Sequence, residues 1–247
     1  MSGHERAPEA PDLTVSAALA DGELEVLGAL PDSSNAALLV RCHAGEATCV
    51  AVYKPMRGET PLWDFPDGTL HRREVAAFSL AGALGWPRIP PTVLRDGPYG
   101  PGSVQLFVSF DPEHHFFTLE MEHADVFRRV ALFDIAANNA DRKGGHCLLD
   151  ADGDVWMIDH GVCFATEPKL RTVIWTFIGE PLPADAVTDL ARVRDELIAG
   201  DGVATTLGAL LDPAEVVAVR ERIGRLLAGG RFPEPEPGVR PYPWPPI

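Results

Sequence analysis

The spacing of apolar residues changes once along this chain, and that change limits the folds open to it. Between residues 24 and 53 they come in three short runs: Leu24-Glu25-Val26-Leu27, Ala37-Leu38-Leu39-Val40 and Thr48-Cys49-Val50-Ala51-Val52-Tyr53. Each run is bounded by Gly, Pro, Asp or Ser, which predicts strands. A helix is predicted over 70–84, with Thr69 as its cap and Val75, Phe78 and residues 81–84 as its apolar contacts. Two further strands are expected at 92–95 and 104–109, joined by a Gly/Pro loop at 96–102. From residue 120 onward the character is helical: Val126, Val130, Phe133 and Ala137 fall at the spacing of one helix face. Short strands at 147–149 and 155–158 flank the turn Asp150-Ala151-Asp152-Gly153, and helices are predicted at 185–199 and 213–228. The last has a strong start, with Asp212 as N-cap, Pro213 at the first position and Glu215 completing a capping box. A β-rich first half and a helical second half predict an α+β chain of two lobes in one unit.

Composition removes several alternatives. With 247 residues the chain is long enough to bury roughly 70–75% of its unfolded surface. A net charge of −15 argues against a dedicated nucleic-acid binder and against anionic membrane surfaces. No apolar run is long enough to span a membrane, and the polar N-terminus lacks a secretory signal. Cys42, Cys49, Cys147 and Cys163 form no CxxC, so buried free thiols in a reducing cytoplasm are expected. Residues 1–12 and the tail 232–247 are Pro-rich and without periodicity. The tail is expected to be an extended surface strap packed by Trp244 and Ile247, with recruitment of a protein partner as the alternative reading. Of the 21 basic residues only Lys54, Lys143 and Lys169 are lysines. A chain so biased to Arg keeps Lys where a compact point charge is needed.

Several motif-like stretches fail on their own chemistry. Asp150-x-Asp152-x-Asp154 opens like a calcium loop, but Val155 and Gly161 stand where Gly and Glu are required. Gly97-x-x-Gly100-x-Gly102 contains prolines and leads into a strand, so it is no phosphate loop. His114-His115 lacks companion ligands at zinc spacing, and no Gly-x-Ser-x-Gly elbow exists. Four features remain: Lys54 ending a strand, Glu74 on the next helix, the segment Asn138–His146, and Asp159 after a short hairpin. Taken singly they read as a snorkelling lysine, a solvated helix charge, a helix C-cap and a strand-ending turn. Taken in order they are the parts of phosphoryl transfer: a phosphate-gripping Lys, a carboxylate to fix it, an Asp for the acceptor hydroxyl and an Asp for metal.

The segments Tyr53-Lys54-Pro55, Arg73-Glu74-Val75-Ala76, Asn138–Arg142 and Ile158-Asp159-His160-Gly161 resemble the phosphatidylinositol 3-/4-kinase branch. Within that branch they resemble especially the small type II phosphatidylinositol 4-kinases, with HipA-type kinases as neighbours. Over residues 24–230 the chain is similar to an uncharacterised actinobacterial family of phosphatidylinositol 3-/4-kinase-like proteins. The resemblance implies a two-lobed protein-kinase-like fold, N-lobe 13–107 and C-lobe 108–231, with ATP and Mg²⁺ or Mn²⁺ between the lobes. It makes Lys54 the phosphate lysine, Glu74 its partner, Asp141 the catalytic aspartate and Asp159 a metal ligand, with Arg142 following Asp141 as in the lipid-kinase signature. Ser33, Ser34 and Asn35 map to the phosphate loop, and the backbone of Phe107 or Val108 to the adenine hinge.

One position departs from that pattern. Related kinases carry an Asn five residues after the catalytic Asp as a second metal ligand, and here it is His146. Imidazole suits softer metals than magnesium. His146 could bind nucleotide or substrate, shift the metal preference toward manganese, or mark a pseudokinase that binds nucleotide and regulates without turnover. The implied acceptor is a hydroxyl on a lipid, an inositol-type small molecule or a protein. Lys143, Lys169 and Arg171 read either as a basic pocket for an acidic acceptor or as ordinary surface charge.

Overall fold

A computed structural model describes residues 13–30 and 35–247, so Ser33 and Ser34 lie outside the described residues. The first part comprises α1 (Leu13–Asp21), β1 (Glu23–Ala29), β2 (Leu38–Ala44), β3 (Ala47–Pro55), α2 (Leu70–Leu84), β4 (Thr92–Gly97) and β5 (Gly100–Leu106). Its strands form one antiparallel sheet in the order β1-β2-β3-β5-β4. The second part holds α3 (Phe116–Leu119), α4 (Ala124–Ala137), the hairpin β6 (Cys147–Leu149) and β7 (Val155–Met157), then α5 (Ala184–Ala199), α6 (Val203–Leu210) and α7 (Pro213–Gly229). Among the described residues no helix is long and apolar enough to cross a membrane.

The period of two along β2 and β3 fixes which side chains face inward. Val40, Cys42, Ala51 and Tyr53 are buried with Val104 against Ala18 and Leu19 of α1. Because Tyr53 and Pro55 are both buried, Lys54 between them projects from the other face of β3. The glycines of 97–102 serve this small core: a Cβ on Gly97 or Gly102 would come within 2.7 or 2.6 Å of the Tyr53 ring. The Tyr53 hydroxyl donates to the Gly100 carbonyl at 2.5 Å. The loop expected at 96–102 is therefore a tight hairpin turning at residues 98–99, and β5 stops at Leu106, short of 109. α1, α3 and α6 have no counterpart among the expected elements.

α2 belongs to the first part by sequence and to the second by packing. Its Ala76, Ala77, Leu80 and Leu84 are buried in the larger core with Phe127, Val130 and Phe133 of α4 and Val219 and Ile223 of α7. The predicted Thr69 cap is not made; the Thr69 hydroxyl donates to the Pro66 carbonyl instead. Glu59 takes that role, accepting from the Leu70 and His71 amides at 3.1 and 2.9 Å. Beside Glu74 on this helix, Arg73 is buried and donates to the Cys163 carbonyl at 2.7 Å and to Glu215 at 2.6 Å. Glu215 is also the N3 residue of the capping box that starts α7, formed with Asp212 as the sequence predicts. One carboxylate thus caps α7 and neutralises a guanidinium on α2.

None of the four cysteines is in a disulfide, and all but the half-buried Cys49 are buried. The tail is a strap, but Trp244 and Ile247 do not pack it, being 76% and 58% exposed. Backbone carbonyls anchor it: Pro241 accepts from the Thr172 amide and the Trp175 indole, and Pro246 accepts from the Gly144 amide at 2.8 Å.

The double duty of Glu215 predicts unequal costs for the two members of its capping box. Asp212→Ala should lower unfolding free energy by about 1 kcal/mol, the value of a cap. Glu215→Ala strands Arg73 as a buried charge and should cost about 3–5 kcal/mol. Urea denaturation giving equal losses would rule out the clamp.

Candidate active site

Three of the residues singled out in the sequence meet at one ammonium group. Lys54 Nζ donates to Glu74 Oε1 and, at 3.1 Å, to Asp159 Oδ1. Glu74 is buried on α2, and its second oxygen accepts from the His160 amide at 2.9 Å. β3, α2 and the turn after β7 are thereby held to one another. Burial works against the Lys54 charge, but Asp159 and Glu74 outweigh it and hold the pKa above the ordinary lysine range. Lys54 in turn, against the effect of burial, holds the Asp159 carboxyl well below the usual carboxylate range. Asp159 sits at φ +62°, a left-handed conformation costly for a residue with a Cβ. The Glu74–His160 bond pins the backbone immediately after it.

The loop 138–146 is built on buried polar groups. Asn138 ends α4 in the left-handed conformation expected of a C-cap, at φ +52°. Its amide donates to the Ala165 and Glu167 carbonyls, and its Oδ1 accepts from the Lys169 amide. Asn139 bonds Asp134 through Nδ2 and accepts the Asp141 amide on Oδ1 at 3.0 Å, which sets the direction of Asp141. Arg142 has no solvent exposure and is paired with Asp134 through Nε and Nη2 at 3.0 Å. Its remaining donors reach the Ile158 carbonyl at 3.0 Å and His160 Nε2 at 2.7 Å, on either side of Asp159. Burial opposes the Arg142 charge, and Asp134 more than compensates. Asp134 was not singled out in the sequence. Its signal was a carboxylate between Phe133 and Ile135 on a helix with a predominantly apolar inner face.

Asp141 and His146 flank the Lys54 cluster. Burial raises the Asp141 pKa and the Asp159 charge adds to the effect, while Lys143, whose Nζ lies 3.4 Å from Oδ2, opposes it. His146 Nε2 lies 3.4 Å from Asp159 Oδ2, and its Nδ1 faces the Lys143 amide, also at 3.4 Å. Burial pushes the imidazole down to about 4, so His146 is neutral at physiological pH.

The other candidates lie differently. Asn35 Oδ1 accepts from the Thr60 amide at 2.7 Å. The Phe107 amide is spent on the Val50 carbonyl, while the Val108 amide has no backbone partner among the described residues. Lys169 does not join Lys143 and Arg171 in a basic pocket: its Nζ pairs with Asp64 at 3.0 Å and lies over the rings of Trp63 and Phe65.

A five-stranded antiparallel sheet, a helix crossing behind it and a helical second lobe with an Asp-bearing loop define a two-lobed kinase-like fold. The Helicobacter pylori proinflammatory kinase CtkA shares it at a TM-score of 0.51 and 10% identity, with 87% of this chain and 94% of that chain covered. The Mycobacterium tuberculosis protein Rv2133c is 40% identical over 264 aligned positions, which span 93% of this chain and 94% of that protein, and the chain belongs to its family. The rice phosphatidylinositol 4-kinase gamma 4 is 27% identical over 182 positions, covering 59% of this chain but only 32% of that protein. No family model matches.

The Arg142–Asp134 pair makes a stability prediction. Arg142→Met should cost about 3–5 kcal/mol, because Asp134 is left buried and unpaired. Combining it with Asp134→Leu should recover most of that loss by removing the orphaned charge. A double variant no more stable than the single one in thermal or urea unfolding would contradict the account.

Proposed function

We propose that this chain is an ATP-dependent phosphotransferase that moves the γ-phosphoryl group to a hydroxyl acceptor. The observation that carries the proposal is the Lys54 ammonium shared between buried Glu74 and half-exposed Asp159, with Asp141 near enough to feel the Asp159 charge. The likeness to a lipid kinase and to a protein named a kinase supports it.

In this reading Lys54 grips the α- and β-phosphates while Glu74 fixes its position, and the 33–35 segment covers the phosphates. The backbone at Phe107–Val108 contacts adenine, with the Val108 amide as the available donor. Asp159 and His146 present an oxygen and a nitrogen 3.4 Å apart, close enough to share one divalent cation. These two residues would hold magnesium or manganese, which would supply charge neutralisation for the phosphates. The acceptor hydroxyl oxygen attacks the γ-phosphorus, the bond from that phosphorus to the β–γ bridging oxygen breaks, and ADP leaves. The hydroxyl proton passes to Asp141, whose raised pKa suits a base in a partly dry site.

Transfer of label from γ-labelled ATP to soluble metabolites, lipids and extract proteins is the direct test. Asp141→Asn should lower turnover by roughly 100-fold or more while nucleotide affinity is kept. Lys54→Arg should be nearly as damaging as Lys54→Ala, because the guanidinium fork cannot occupy the place of a point charge. Full activity in the Lys54→Arg protein would remove Lys54 from the mechanism.

His146 favours a second reading, a pseudokinase, since it stands where an amide oxygen serves related kinases. Nucleotide binding without any consumption of ATP would decide for it. If His146 is a ligand, His146→Asn should raise magnesium-supported binding or turnover relative to manganese. The imidazole protonates only as pH falls toward about 4, so wild type and His146→Asn should have parallel profiles between pH 7 and 5. Wild type should lose metal-dependent nucleotide binding faster below that range, where the imidazolium repels the cation. Identical metal preference and identical acid limbs would exclude His146 as a ligand.

A further inference from the structure

The loop that carries Asp141 runs beside a second extended segment. Arg142 pairs with Thr172 in a parallel bridge: the Arg142 amide donates to the Arg171 carbonyl at 2.9 Å, and the Val173 amide to the Arg142 carbonyl at 3.1 Å. The Arg171 amide adds a third bond, to the Asn139 carbonyl at 2.9 Å. Both bridge residues turn inward, since Arg142 and Thr172 each reach the Asp134 carboxylate. Successive side chains of an extended chain point to opposite sides, so Asp141 and Arg171, one position earlier on each segment, share the outer side. Exposure agrees: Arg142 and Thr172 are buried, whereas the Asp141 side chain is 34% exposed and Arg171 is half-buried. The Arg171 charge is near enough to act on the Asp141 carboxyl.

Arg171 is the unmatched cation of this neighbourhood. Lys54 is paired with Glu74 and Asp159, Lys143 with Asp141, Arg142 with Asp134 and Lys169 with Asp64. Among the described residues the Arg171 side chain has no ion pair and no hydrogen bond. Its Nε is buried, but its two terminal nitrogens are not, so the tips of the fork are the part that a ligand can reach. A guanidinium fork takes phosphate oxygens two at a time. Lys143 adds a point charge on the same side, its Nζ 3.4 Å from Asp141 Oδ2. Adjacent extended segments lie about 4.8 Å apart. A molecule that touches both Asp141 and Arg171 therefore carries its hydroxyl and its anionic group within a few atoms of each other.

Resting on the phosphotransferase reading of Asp141, we propose that Arg171 selects the acceptor, a polyol that already bears a phosphate ester. The ester lies on Arg171 and Lys143, and the reacting hydroxyl lies at Asp141. Soluble polyol phosphates and lipid headgroups both carry such an ester, and the test separates them.

Titration calorimetry on the full chain compares glycerol 3-phosphate and inositol 1-phosphate with glycerol and inositol. Co-sedimentation with phosphatidylcholine vesicles, with and without phosphatidylglycerol, is the lipid arm. The expected result is saturable one-to-one binding of a soluble ester, with its neutral parent weaker by about tenfold or more, the value of a charged hydrogen bond. Binding confined to the phosphatidylglycerol vesicles would support the proposal with a lipid headgroup as the source. In either case Arg171→Met should weaken binding by about tenfold or more. Where that variant fails to fold, Arg171→Gln supplies the same comparison. The proposal is overturned if no phosphate ester in either arm outbinds its ester-free control, or if a folded Arg171 variant binds as wild type does. ATP consumption in the same mixtures keeps the two readings apart. Arg171-dependent binding without ATP use would refute phosphoryl transfer and leave the ester site standing, whereas ATP use with the neutral polyols alone would do the reverse.

Discussion

A guanidinium without solvent contact has to be matched donor by donor, and Arg142 is matched by three residues from two separate stretches of chain. Asp134 supplies the counter-charge from α4, Ile158 a carbonyl from the end of the β6–β7 hairpin, and His160 a ring nitrogen beyond it. Each is needed because a buried charge left partly unsatisfied costs more than the fold can spare. Asp141 and Asp159 lie next to residues in this network, and both take their positions from it. Both carboxylates are therefore oriented by a pair that has no contact with solvent.

The second constraint is the allegiance of α2. It carries Glu74 toward the sheet, yet its apolar face is buried with α4, α6 and α7. Arg73 and Glu215 fasten the same helix to the start of α7. In a fold of two lobes this ties the Lys54–Glu74 contact to the helical lobe, so moving the sheet relative to that lobe would have to break Lys54 away from a fixed carboxylate.

Much of this was legible because it is local. Lys54 between Tyr53 and Pro55 follows from a strand period of two. The α7 start follows from Asp212, Pro213 and Glu215 lying within four residues. Asn138 as a left-handed cap follows from its place at the end of an apolar helical run. What could not be read was decided by partners far away in sequence. Glu59 caps α2 from eleven residues upstream, so Thr69, adjacent and chemically suitable, was the natural but incorrect choice. α1 is nine residues long and is held by Ala18 and Leu19 against the sheet. Lys169 looked like a free basic residue because nothing in its own segment announces Asp64, 105 positions earlier.

The way the tail is attached has a consequence for how freely its sequence can drift. Pro241 and Pro246 hold Thr172, Trp175 and Gly144 through main-chain oxygens, and a proline has no amide hydrogen to offer in return. The contact reads backbone shape and leaves side-chain identity open. Exposed positions such as Tyr242 and Trp244 can change without loosening the attachment, whereas replacing prolines would free the chain to adopt other paths and raise the entropy lost on docking. Two related tails could share none of their exposed side chains and still lie along Gly144, so comparing them residue by residue would understate how alike they are.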